Sequence, residues 1–369
     1  MKVTVKDYLN VRVGKPSLNA PNFQYLAPGS ILEVDGTLYP GDKFEGIDTW
    51  YKDEAGNYYW SGGVEKKVED KKTTESNLVA QIEKIDYREL IKLKNPLANG
   101  FGEGVKVAVL DSGIYSNHPD LKGRIIQEVQ YNFTDARIGD TVGHGTHMAG
   151  IIGANPASAD SVSGFVPQAT IIDIKITKSK SIVKENVANA LSYIVNNNID
   201  IDILNMSINV DDSDYYKKSV QPLLETLYNR GVVLVCAVGN DEDLRNTGML
   251  TMGNFEKVIS VGTVEADSLN EFKKTGFYRK VDFFFCNKPL TSTLSDPNIF
   301  EPGYVYGELD GSSPYTALVT GIIACYLSQY KPAKEICQQK VLEYLNALTD
   351  NYTDKTSLEY YTLYKATTI

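Results

Sequence analysis

Histidine is scarce in this chain. Three occur in 369 residues, and two of them, His144 and His147, sit within Val142-Gly-His-Gly-Thr-His-Met-Ala-Gly150. Cysteine is nearly as rare. Cys236, Cys286, Cys325 and Cys337 lack the paired spacing of a zinc site, and Cys236 and Cys325 lie in apolar runs, so they read as buried reduced thiols. No stretch approaches the roughly 18 apolar residues of a membrane-spanning helix. The opening Met1-Lys-Val-Thr-Val-Lys-Asp-Tyr8 has no apolar signal-peptide core. Basic charge is outnumbered: 37 Lys and Arg against 47 Asp and Glu leave a net −10, which argues against a nucleic-acid or anionic-membrane surface. These absences predict a cytoplasmic protein with no nucleic-acid and no membrane partner.

The length predicts two or three domains. Residues 1–65 hold short apolar runs (Leu9-Asn-Val-Arg12, Ile31-Leu-Glu-Val34, Trp50-Tyr51, Tyr58-Tyr-Trp60) broken by turn residues such as Pro28-Gly29 and Glu54-Ala-Gly-Asn57. Closely spaced strands of this kind predict a small all-β barrel. Trp50 and Trp60 are the two tryptophans of the chain; they read as barrel core, with a shallow peptide groove as the alternative. Residues 66–79 are almost all charged or hydroxylic and read as a linker. Residues 80–369 follow as one domain. It opens with helical apolar spacing over Ala80–Ile91 and continues from Val105 with alternating strands and helices. The runs Val105–Leu110, Thr170–Ile176, Ile201–Ile208, Gly231–Val238 and Val258–Gly262 are rich in apolar residues and read as strands, Gly231–Val238 being continuously apolar, with helices expected over Lys184–Val195 and Tyr215–Arg230. This predicts an α/β domain with a mostly parallel sheet covered by helices on both faces. Functional groups are then expected at the carboxyl ends of the strands.

Candidate groups stand at those ends. Asp111 follows the first strand and Asn240 follows the run ending Val238-Gly-Asn240. Ser313 opens an apolar helix, where the partial positive charge of a helix N-terminus favours a developing anion. His144, framed by Gly143 and Gly145, precedes another helix start; a metal or core histidine is the bland alternative for it. Acid, histidine and serine in the order Asp111, His144, Ser313 form one of the known chain orders of a catalytic triad. Asp111 would orient the ring, His144 would take the serine proton and Ser313 would attack a carbonyl, with Asn240 and the Ser313 N–H as oxyanion donors.

Here the chain resembles the subtilisin-like serine peptidases (subtilases). Val107-Ala-Val-Leu-Asp-Ser-Gly113, Gly143-His-Gly-Thr-His147, Ala237-Val-Gly-Asn240 and Gly311-Ser-Ser313 with Gly321 occur in the family's order across roughly residues 80–340. The resemblance implies a serine endopeptidase acting on protein or peptide substrates through Asp111, His144 and Ser313, with Asn240 in the oxyanion hole. It places Ser207, Ile208 and Asn209 where substrate backbone pairs as an added strand, and Ala237, Val238 and Gly239 along the pocket for the residue before the scissile bond. His147 is a structural partner by the same reading, and His118 in Ser116-Asn-His-Pro-Asp120 reads as a surface-loop histidine. The N-terminal motifs resemble a bacterial SH3-type (SH3b) domain, which implies a recruited peptide or protein partner. Calcium sites are common in the family, yet Asp211-Asp-Ser-Asp214 reads equally as a solvated turn, so no cofactor is expected.

Several positions depart from the family pattern. Gly311-Ser-Ser-Pro-Tyr315 stands for the usual Gly-Thr-Ser-Met-Ala, and Pro314 disfavours the α region for Ser313, which would mis-aim the hydroxyl. That expectation sustains the alternative of an inactive pseudopeptidase serving as a peptide-binding scaffold. Asn209 replaces a glycine, and Phe283-Phe-Phe-Cys286 replaces a small-residue segment, predicting a repacked wall. Asp241 and Glu242, after Asn240, read as a preference for a basic substrate side chain or as a solvated pair.

Overall fold

The computed structural model describes residues 1–6, 9–20, 22–26, 30–66, 84–93, 99–179, 181–208, 213–239, 252–264, 281–295, 306–349 and 362–365. The chain divides into two compact units, one comprising Met1–Glu75 with Asp296–Tyr304, the other Ser76–Ser295 with Val305–Ile369.

The first unit contains β1 (Lys2–Val5), β2 (Leu9–Val13), β3 (Asn22–Leu26), β4 (Ile31–Glu33), β5 (Tyr39–Phe44), β6 (Ile47–Lys52), β7 (Asn57–Trp60) and β8 (Val64–Lys66). They form two small antiparallel sheets, in the orders β4-β1-β8 and β3-β2-β7-β6-β5. Alternating residues of both sheets share one core: Val3, Val5, Leu9, Val11, Val34, Tyr51, Tyr59 and Val64. Trp50 is 1% exposed and donates its indole N–H to the Asp42 carbonyl at 3.0 Å, so it belongs to the packing and not to a surface groove. Trp60 is half-buried and meets Phe44 edge-on, with centroids 4.9 Å apart. The predicted linker lies almost wholly outside the described residues.

The second unit is built on an eight-stranded sheet of β10 (Lys106–Asp111), β11 (Ile125–Ile126), β13 (Thr170–Lys175), β14 (Ile203–Met206), β15 (Val233–Ala237), β16 (Ile259–Val264), β17 (Phe283–Cys286) and β20 (Tyr364–Lys365). The order is β11-β13-β10-β14-β15-β16-β17-β20, parallel throughout except at β20. Smaller pairs flank it: β9 (Ile85–Asp86) with β12 (Val162–Ser163), and β18 (Leu290–Thr293) with β19 (Tyr306–Leu309). The helices are α1 (Tyr87–Leu90), α2 (His144–Gly153), α3 (Lys184–Asn196), α4 (Ser213–Tyr215), α5 (Gln221–Asn229), α6 (Ser312–Tyr330) and α7 (Cys337–Leu348), with a π-helical turn over Tyr216–Val220 joining α4 to α5.

The apolar strands are explained by two cores. Val107, Val109, Ile203, Val235 and Val261 face α2, α6 and α7, while Ala108, Leu110, Leu204, Met206 and Leu234 face α3 and α5. A strand wet on neither side is apolar at most positions, and the buried Asp173, Lys175 and Asn205 that these strands also carry are hydrogen-bonded. Of the helix expected over 80–91, residues 80–83 lie outside the described residues. Ile85–Asp86 pairs with Val162–Ser163 instead, and of the described residues Tyr87–Leu90 turns helical behind the Asp86 carboxylate, which accepts from the Arg88 N–H at 2.9 Å. A tertiary pairing outweighs a weak local periodicity there. In strand order, β10 lies between β13 on one side and β14 on the other. The carboxyl ends of β10 and β14 flank the point where the chain switches sides, the expected place for a site in such a sheet.

Candidate active site

Asp111 is the last residue of β10 and is 1% exposed. Its Oδ1 accepts the Ser112 N–H at 2.7 Å. Across from it, His144 opens α2, and its Nδ1 lies 2.8 Å and 3.0 Å from the two Asp111 carboxylate oxygens. An ionised carboxylate only accepts, so Nδ1 carries the proton and Nε2 is left as the basic nitrogen. Burial acts against the imidazolium. The charge of Asp111, its hydrogen bond and the charge of Asp140 outweigh that, and hold the His144 pKa above the ordinary histidine value. The side chain of His144 keeps 29% exposure against 2% for Asp111, so the imidazole is reachable and its carboxylate partner is not.

The glycine frame of His144 has a steric cause. Gly143 adopts φ 95°, a conformation open to glycine. A Cβ on Gly145 would stand 2.2 Å from the Gly113 carbonyl oxygen, so only a glycine lets α2 approach the end of β10 this closely.

Ser313 lies in the first turn of α6, after the N-cap Gly311, whose N–H donates to Asn287 Oδ1 at 3.0 Å. Pro314 is expected to disfavour the α region for Ser313, and Ser313 is helical nonetheless. The helix starts at Ser312, so Pro314 falls third, where a backbone N–H has no intrahelical acceptor to lose. Tyr315 anchors the turn from the next position. It is fully buried and stacks on Phe285 at 4.7 Å, and its hydroxyl lies 3.2 Å from the Cys286 carbonyl and 3.0 Å from that of Lys288. The Phe283–Cys286 wall is thus packed with an aromatic ring from the helix that carries Ser313. The Ser313 hydroxyl donates to the Ser207 carbonyl at 3.0 Å.

Of the residues expected to bind substrate, Ser207 and Ile208 follow β14 and are buried, as are Ala237 and Val238 at the end of β15; Gly239 takes φ 97°. Ser207 Oγ donates to the Ser313 carbonyl at 3.0 Å and accepts from Asn205 Nδ2 at 3.1 Å, while Asn205 Oδ1 accepts the Thr320 hydroxyl at 2.9 Å. Asn209, Asn240, Asp241 and Glu242 lie outside the described residues, as do Asp211 and Asp212.

His147 is buried. Its Nε2–H faces the Leu290 and Gly307 carbonyls at 2.9 Å and 3.1 Å, and burial together with the nearby His144 pulls its pKa down to about 3. His118 corrects the sequence reading: it is wholly buried, accepts the Asp120 N–H on Nδ1 at 3.1 Å and packs edge-on against Tyr306. A histidine in a loop is not thereby at the surface. Among the described residues no three His, Cys, Asp or Glu side chains converge as metal ligands would. The buried Asp120 carboxylate accepts from Ala157 N, Val162 N and the Tyr306 hydroxyl instead.

Sequence reading passed over Asp140. It is 3% exposed, and its carboxylate accepts from Ser112 Oγ (2.9 Å), Val142 N (2.8 Å), Gly143 N (2.9 Å), Thr146 N (3.0 Å) and Thr146 Oγ1 (2.6 Å). The available signal was an aspartate just ahead of a helix start. It also missed Lys175, 2% exposed, whose Nζ donates to the carbonyls of Ser112 and Gly139 at 2.8 Å and 2.6 Å and to Thr141 Oγ1 at 3.2 Å.

Comparison with known proteins agrees with this geometry. Residues 102–356 match the Subtilase family (peptidase S8). The chain is 33% identical over 268 residues to the major intracellular serine protease of Bacillus subtilis (strain 168), covering 69% of this chain and 77% of that protein. It is 33% identical over 234 residues to the intracellular serine protease of Paenibacillus polymyxa, covering 60% and 66%. Among solved structures, a cold-adapted subtilisin-like serine proteinase superposes with a TM-score of 0.56 at 25% identity, covering 77% of this chain and 97% of that one. The fold is that of a subtilisin-like serine proteinase. The chain belongs to the subtilase family and is a serine endopeptidase.

Proposed function

We propose that the chain cleaves peptide bonds with Ser313 as nucleophile, His144 as general base, Asp111 as the acid that orients the ring, and Asn240 with the Ser313 N–H as oxyanion donors. The observation that carries this reading is the buried Asp111 carboxylate bound to Nδ1 of a partly exposed His144. Nε2 takes the Ser313 proton as Oγ bonds to the scissile carbonyl carbon. The tetrahedral oxyanion lies at the N-terminus of α6, where free N–H groups and the helix dipole favour negative charge. Collapse breaks the C–N bond, and the imidazolium delivers its proton to the leaving amine. A water, deprotonated by His144, then hydrolyses the acyl-enzyme.

Substrate backbone pairs along Ser207, Ile208 and Asn209, with Ala237, Val238 and Gly239 lining the pocket for the residue before the scissile bond. Ser207 and Ile208 continue past the paired residues of β14, where backbone groups are left for an added strand. The protease works in the cytoplasm on particular protein or peptide substrates. The intracellular proteases among its relatives support that address. Residues 1–65 act as an SH3b-like module that recruits substrate or partner, with 66–79 as linker and 80–369 as the peptidase domain. The small antiparallel sheets around one core, together with the Leu9–Arg12 and Trp50–Trp60 motifs, support that part of the reading.

A fluorophosphonate probe tests the chemistry. Wild type is expected to label, and Ser313→Ala and His144→Ala are not; an unlabelled wild type sinks the proposal, and a fully labelled His144→Ala means the base is another residue. Trp60→Ala in the full chain tests recruitment: cleavage of a short peptide should hold while cleavage of the protein substrate falls.

A further inference from the structure

Asp140 stands between the two halves of the acid–base pair. Five donors converge on its carboxylate, the acceptor-only pattern of an ionised group. Three are backbone N–H groups at the start of α2: Val142, Gly143 and Thr146. The helix that presents His144 therefore begins on Asp140, as on an N-cap carboxylate, although its formal N-cap, Gly143, has no side chain to serve. The fourth donor, Thr146 Oγ1, also accepts the Tyr115 N–H at 3.0 Å. The fifth is Ser112 Oγ, whose residue adjoins Asp111 and which itself accepts the Gly145 N–H at 3.0 Å. One carboxylate thus ties the residue after the acid to the turn that carries the base.

We propose that Asp140 is a positioning residue for the peptidase reaction: it fixes the register of His144 against Asp111 and adds a second negative charge that stabilises the imidazolium formed when Ser313 gives up its proton. The proposal rests on the assignment of His144 as the base. Other charges bear on the ring or on Asp140 from neighbouring elements: Asp111 from β10, Lys175 and Asp173 from β13, and His147 from α2 itself, while Arg137 from the loop before α2 acts on Lys175. Lys175 partly offsets Asp140, yet the sign of removing Asp140 is fixed. One negative charge fewer makes the imidazolium less stable, so the base keeps its free form to lower pH.

The test is the pH profile of kcat/KM on a short peptide substrate, whose acid limb reports the free enzyme's base, measured for wild type, Asp140→Asn, Ser112→Ala and His144→Ala. Asp140→Asn should lower kcat by roughly ten- to a hundredfold at unchanged KM, the scale of a small misplacement of catalytic groups, and move the acid limb to lower pH. Ser112→Ala removes one tether and keeps the charge, so kcat should fall with the limb unmoved. A wild-type kcat and limb in Asp140→Asn overturns the proposal, as does a limb displaced to higher pH. If Asp140→Asn fails to fold, Ser112→Ala decides: a reduced kcat with the wild-type limb supports the positioning role and a wild-type kcat overturns it. An active His144→Ala is a different result, since it removes the base assignment on which the proposal stands.

Discussion

Ser313 and Ser207 hold each other reciprocally: the Ser313 hydroxyl donates to the Ser207 carbonyl and the Ser207 hydroxyl donates to the Ser313 carbonyl, both at 3.0 Å. A hydroxyl has one proton, so the Ser313 proton cannot be given to Nε2 of His144 while it is held there. In the proposed reaction the hydroxyl must leave the Ser207 carbonyl before its proton can pass to His144.

The first expectation concerns this pair. Ser207→Ala removes the tie to the Ser313 carbonyl and leaves the Ser207 carbonyl in place. A neutral hydrogen bond is worth about 0.5–1.5 kcal/mol net, and each 1.36 kcal/mol is about tenfold in rate. The value of kcat should therefore drop by roughly two- to tenfold, read from steady-state kinetics on a short peptide. An undiminished kcat would show that the tie does not hold the nucleophile.

Behind Ser207 lies a buried chain of donors from Thr320 through Asn205. Asn205→Ala strands the Thr320 hydroxyl, which is 0% exposed, without its acceptor. Leaving such a group unsatisfied costs about 1–3 kcal/mol, to be seen as a lower midpoint in denaturant. Asn205→Asp keeps an acceptor for Thr320 and should lose less at that bond.

Activity should fall on the acid side. The His144 pKa is raised, so the free base is lost as pH drops through a value above the ordinary histidine range of about 6.5. The acid limb of kcat/KM therefore lies above that value; a limb below it would contradict the dominance of Asp111 and Asp140 over burial.

Stability should fall on the alkaline side through Asp173. Burial pushes its pKa up from 3.8 to about 7. Its Oδ2 accepts from Ile114 N at 2.9 Å and Gln127 Nε2 at 2.8 Å, while Oδ1 has no hydrogen-bond partner among the described residues. A folded pKa above the unfolded one favours the protonated native state, so this contribution is complete below about 3.8 and is lost as pH rises through about 7. Asp173→Asn should flatten the decline of thermal midpoint between mildly acid and mildly alkaline pH. An unchanged slope would mean that the burial cost is relieved elsewhere.

Pro314 gives a negative expectation. It occupies the third position of α6, where its missing N–H costs no intrahelical bond. Pro314→Ala should leave the fluorophosphonate labelling rate within about twofold, the size of a few tenths of a kcal/mol. Tyr315→Phe should slow it more, because it unties the same turn from the Cys286 and Lys288 carbonyls.

The strands were legible because a strand buried on both faces is apolar at most positions, so Val105–Leu110 and Gly231–Val238 announce themselves. Asp111, His144 and Ser313 stood out as candidates because their surroundings are local features: a strand end at Asp111, glycines around His144 and a helix start at Ser312. The burial of His118 was not legible, since it depends on Tyr306 packing against it from far along the chain. Nor was the end of the 80–91 periodicity at β9, which pairs with a strand 77 residues away in sequence.

Sequence alone determined which residue types stand at the strand ends, and therefore what chemistry was available, because those types and their glycine frames are local properties. Tertiary structure decided how they are coupled. The donors that converge on Asp140 come from β10's end and α2's start, and the Ser313 hydroxyl is held by a carbonyl 106 residues earlier. Hydrogen bonds depend on distance and angle in space, and spacing along the chain carries no record of either.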